Sequence, residues 1–99
     1  MSVLVTIRFP GDTAVFRQAI ADHSQQLIRF SEMARSSGGL RHQFGVGDGF
    51  VLVVDEWETF EQFQQFFSDP DLQALIGKMG PTGPPDITVT EAVHSPDQY

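Results

Sequence analysis

An α+β fold is predicted for this 99-residue chain: a βαββαβ order forming one open antiparallel sheet with both helices on one face. Three observations carry that reading. Strand-like alternating segments stand near both ends, two segments carry apolar residues at helical spacing, and a "GDG" turn joins two more strands at the centre.

The first strand is "SVLVTIRF", where Val3, Val5, Ile7 and Phe9 alternate with Leu4, Thr6 and Arg8. "PGD" breaks it, and Asp12 or Thr13 can cap a helix. Phe16, Ile20, His23, Leu27, Phe30 and Ala34 then follow at spacings of three and four, one face of a single long helix. Glycines in "SSGG" suit its C-terminus. "LRHQFGV" and "FVLVVDEW" flank Asp48-Gly49, which predicts a hairpin with a type I′ turn. In that register Arg41 faces Glu56, His42 faces Asp55, Phe44 faces Val53 and Leu40 faces Trp57. Thr59 with Gln62 three residues on gives the next helix a capping-box pattern, and Phe60, Phe63 and Phe67 share a face. Asp69-Pro70 restarts a short helix carrying Leu72, Leu75, Ile76 and Met79. "DITVTEAV" is the last strand, its Ile87, Val89 and Val93 on one side. Residues 1–94 form one domain and 95–99 a tail.

Composition narrows the partners. A net charge of −7 with six scattered basic residues repels phosphate backbones, so no nucleic-acid partner is expected. Cysteine is absent, which removes thiolate metal sites and a Cys nucleophile. No run of about 20 apolar residues is present to span a bilayer, and "MSVLVTIRFP" lacks the basic start of a signal peptide. No membrane contact and a cytoplasmic location are expected. The strand "FVLVVDEW" is apolar on both faces, although the helices of one subunit cover only one of them. A homodimer through the open sheet face covers the other.

Several side chains are candidates for chemistry. His42 opposite Asp55 is the arrangement of an imidazole base oriented by a carboxylate, and also an ordinary cross-strand pair. His23, inside the apolar stripe of the first helix, is either a core-edge residue or a substrate contact. Trp57 either closes the core or walls a ligand while its N–H donates to it. Phe16 and Phe66 belong to the core or line a cavity. Glu56 reads as an ion-pair partner of Arg41. The three histidines lie on different elements without ligand spacing, so no metal site is expected. "GVGDG" has no following helix and is not a phosphate loop.

The element order, the length and the "VVDEWETFEQFQQF" passage resemble the antibiotic biosynthesis monooxygenase-like proteins of the dimeric α/β-barrel superfamily. The resemblance spans Ser2 to about Val93. It implies a ferredoxin-like sheet closing with a second copy into a barrel, and a ligand pocket between sheet and helices. It also implies oxidation of aromatic polyketides or quinols without metal or flavin, and therefore no cofactor. A haem-degrading branch carries a Trp nine residues beyond the strand-end Trp, a His nine further on, and an Asn on the first strand. Phe66, Leu75 and Thr6 or Ile7 stand there instead, which disfavours haem degradation. The resulting expectation is a cofactor-independent monooxygenase acting on a small apolar or aromatic molecule. His42 and Asp55 serve as base and orienter, while His23, Trp57, Phe66 and Phe16 contact substrate. The alternative is a non-catalytic homodimeric module that binds a small ligand or assembles.

Overall fold

The computed structural model describes residues 1–99 as β1 (Val3–Pro10), α1 (Thr13–Asp22), α2 (Ser24–Ser36), β2 (Gly39–Val46), β3 (Phe50–Trp57), α3 (Phe60–Phe67), α4 (Pro70–Gly77) and β4 (Asp86–Glu91). The four strands form one antiparallel sheet in the order β2-β3-β1-β4. This is the ferredoxin-like α+β architecture. No helix is long and apolar enough to cross a membrane.

Helix starts follow the expected side-chain chemistry. Asp12 accepts from the N–H groups of Ala14 and Val15, Thr59 from Gln62, and Asp69 from Asp71 and Leu72. Each bond satisfies a donor that has no partner inside the helix. One helix differs from its sequence pattern. The stripe from Phe16 to Ala34 predicts one helix, but the chain divides it at His23, whose φ of −118° and ψ of 25° leave the helical region. Backbone hydrogen bonding continues across the break, because His23 N–H still donates to Ala19 and its carbonyl accepts from Leu27. A 3.6-residue stripe continues across one distorted residue, so periodicity alone does not register the break.

The β2–β3 register is the predicted one from Arg41 to Val46, placing His42 against Asp55 and Phe44 against Val53. Two details are corrected. A bulge sets Gly39, rather than Leu40, opposite Trp57, and Leu40 is exposed. The turn is not type I′, since only Gly49 (φ 78°) enters the left-handed region and Asp48 does not. Gly47 N–H to the Phe50 carbonyl at 3.0 Å closes this loop, and Gly11 N–H binds the Gly49 carbonyl, tying the loop to the end of β1.

Cross-strand partners share a face. Val5, Ile7, Val53, Asp55 and Trp57 all turn toward the helices. Two apolar groups build the core. Trp57 and Phe63 join Val5, Ile7 and Val53, while Phe16, Ala19, Val51, Leu75 and Met79 form the other. Phe44 bridges them. Burying each large side chain stabilises the fold by about 1.5–3 kcal/mol. The opposite face carries Leu4, Leu52 and Val54, with the Arg8 guanidinium 3.7 Å from the centre of the Phe50 ring. Leu4 and Val54 are 42% and 41% exposed.

Two further expectations change. Ile87 and Val89 lie on the helix side of β4 as the alternation predicts, but both are exposed, because the helices pack over β2 and β3. Glu56 stands opposite Arg41, yet its carboxylate accepts from the Ser2 hydroxyl at 2.6 Å instead of forming an ion pair. In the tail, the Ser95 hydroxyl donates to Asp97 and holds that carboxyl below its usual pKa.

Candidate active site

Between the sheet and its helices lies a cavity of about 740 Å³, lined mainly by apolar side chains. Its inner wall is aromatic. Phe16 packs edge-on against Phe44 with ring centres 5.1 Å apart, and Phe66 lies 5.2 Å from Trp57 and 6.4 Å from Phe30. Exposed Ile28 and Leu40 stand at its rim. Its size and mainly apolar lining are those usual for small-molecule sites.

Polar chemistry enters this wall from two adjacent strands. The hairpin register brings His42 of β2 beside Asp55 of β3, and both line the cavity. His42 Nδ1 lies 2.7 Å from Asp55 Oδ1. An ionised carboxylate only accepts, so the Nδ1 proton is the one that fills this bond. The lone pair then resides on Nε2, which makes no hydrogen bond within the protein. Asp55 is 7% exposed and has both oxygens engaged, the second accepting the Trp57 indole N–H at 3.1 Å. The His42 side chain is 51% exposed and meets the Phe44 ring edge-on at 4.8 Å. This assembly presents one unencumbered basic nitrogen, oriented from behind by a fixed carboxylate.

The remaining sequence candidates divide. Phe16, Phe66 and Trp57 all line the cavity. Trp57 is 1% exposed and packs against Phe66, so it backs the wall, and its N–H is spent on Asp55. His23 does not line the cavity and sits at the junction of α1 and α2. The helical stripe had placed it on the inward face. Its backbone leaves the helical region, and hydropathy spacing carries no signal for such a break. Sequence reasoning also passed over Phe44, which joins the two core groups and touches both Phe16 and His42. Its place opposite Val53 in the predicted register was the available signal. No three His, Cys, Asp or Glu side chains come together to hold a metal ion.

No protein-family model and no curated protein matches the sequence. Solved structures do match, over nearly the whole chain. SnoaB, a cofactor-independent oxygenase from Streptomyces nogalater, superposes with a TM-score of 0.67 at 16% identity, covering 98% of each chain. The monooxygenase ActVA-Orf6 of Streptomyces coelicolor, in complex with nanaomycin D, gives 0.70 at 19% identity and covers 95% of this chain and 89% of its own. An antibiotic biosynthesis monooxygenase gives 0.67 at 11% identity, covering 93% and 99%. The chain has the fold of the antibiotic biosynthesis monooxygenases. At these identities the likeness is one of backbone and carries no side-chain role.

Proposed function

We propose that this protein is a cofactor-independent monooxygenase that oxidises a small quinol- or polyketide-like aromatic molecule in the cavity between sheet and helices. The observation that carries the proposal is the His42–Asp55 pair on the wall of an apolar cavity, with Nε2 of His42 unpaired. The fold shared with SnoaB and ActVA-Orf6 supports it.

His42 Nε2 takes the proton of a phenol or enol, and Asp55 stabilises the imidazolium that results. The electron-rich anion reacts with dioxygen at carbon, forming a C–O bond, and the peroxide receives the proton back from His42. Loss of the remaining C–H with cleavage of the O–O bond leaves a carbonyl and releases water. One oxygen atom thus enters the product, the other leaves as water, and the substrate supplies the electrons. Phe16 and Phe66 hold the aromatic body and exclude water, with Trp57 packed against Phe66 to support that wall. The protein works as a homodimer in which a second copy covers Leu4, Leu52 and Val54.

Oxygen uptake with a panel of anthrones, quinols and polyphenols tests the reading. Consumption of about one O₂ per carbonyl formed, lost in His42→Ala, is the expected result. Tight ligand binding with no oxygen consumption across the panel would instead favour a ligand-binding module.

A further inference from the structure

The carboxylate of Asp55 is held at both ends, by His42 on Oδ1 and by the indole of Trp57 on Oδ2. An indole N–H is a donor with no acceptor capacity. Trp57 is 1% exposed and clamped by Phe63 and Phe66, whose ring centres lie 6.1 and 5.2 Å away. Its N–H therefore has a fixed direction, and any group at position 55 must turn an acceptor toward it. The geometry points to Trp57 as a positioning residue. Its indole N–H fixes which end of the side chain at position 55 meets His42 Nδ1, and where the two ends are unlike that choice decides which ring nitrogen carries the proton.

With aspartate the selection is hidden, because the two oxygens are chemically alike. Asparagine makes the two ends different. The indole N–H then requires the amide oxygen, which turns the amide NH₂ toward His42 Nδ1. An amide NH₂ only donates, so Nδ1 has to become the acceptor and the proton moves to Nε2. Without the indole N–H, the amide is free to rotate, present its oxygen to Nδ1 and restore the original tautomer. The catalytic consequence rests on the monooxygenase reading, since a proton on Nε2 removes the lone pair that acts as base. The tautomer itself does not rest on it and is measurable without substrate.

The test is imidazole ¹⁵N NMR of the neutral His42 ring, in which the protonated and bare nitrogens give distinct signals. The expected pattern is Nδ1–H in the native protein, Nε2–H in Asp55→Asn, and a return to Nδ1–H in Asp55→Asn/Trp57→Phe. Phe is smaller than Trp in a buried site, so a second form keeps the volume. Trp57 is replaced by its benzothiophene analogue, which lacks the N–H, in the Asp55→Asn background, with the same return expected. Asp55→Asn/Phe63→Leu loosens the packing but keeps the N–H, and Nε2–H is expected to persist there. Nδ1–H in Asp55→Asn alone would overturn the proposal. So would Nε2–H that survives removal of the indole N–H.

Discussion

His42 stands on an edge strand with half of its side chain exposed, yet its ring is tethered through Asp55 to the most deeply packed aromatic of the protein. A surface imidazole of this kind is otherwise free to rotate among rotamers and tautomers, and the fixed carboxylate removes that freedom. If Nε2 is the base, His42→Ala lowers kcat with an active substrate by about 10²–10⁴-fold, the range typical of a lost general base. Oxygen-electrode kinetics check this, and an unchanged kcat would assign the proton transfer elsewhere. Removing a large ring from the wall has a different signature. Phe66→Ala enlarges the cavity beside Trp57 and is expected to raise KM more than it lowers kcat.

Among the elements, the helix starts and the central hairpin carry the sharpest local predictions. Asp69 caps the Pro70 helix with two backbone bonds, so Asp69→Ala is expected to cost about 1 kcal/mol. In a domain of this size that lowers the thermal midpoint by about 4–8 °C, measurable by calorimetry. Gly49 is the one residue of the hairpin turn in the left-handed region, and a methyl group there meets nothing within 4 Å. Its replacement by alanine therefore carries only the backbone penalty, about 1–2 kcal/mol, with the His42–Asp55 register preserved. Chemical denaturation gives the cost, and an unchanged midpoint would contradict the turn geometry. Caps and strand alternation were legible in the sequence because they depend on neighbours within a few residues. The break at His23 and the bulge at Gly39–Arg41 were not, since each changes the backbone at one residue while leaving the hydropathy pattern intact.

For the whole molecule, the sheet has one face under helices and one without cover. Leu4, Leu52, Val54 and Phe50 on the bare face adjoin each other across β1 and β3. In a proposed dimer closed over this face, Val54→Glu places a charge in the interface. Sedimentation is expected to give a dimer for the native chain and a monomer for Val54→Glu. A native monomer would remove the second copy from the functional reading. The cavity lies on the other side of the sheet, so binding of an aromatic probe is expected to survive in a folded monomeric variant.

The sequence alone determined the order of elements, the helix caps, the hairpin pairing from Arg41 to Val46, and hence the meeting of His42 with Asp55. Those follow from short-range rules: side-chain alternation on strands, turn residues, and polar groups that satisfy the first helical N–H groups. Trp57 was also legible as a residue of the same strand face two positions beyond Asp55. Only the tertiary structure decided that its N–H closes on Asp55 rather than on a ligand, that His23 does not line the cavity, and that the phenylalanines leave an open space. The cavity depends on how elements distant in sequence approach one another, and the direction of the Trp57 indole on its packing against Phe63 and Phe66 of α3. Side-chain direction and residual volume are set by that approach, and no local pattern encodes it.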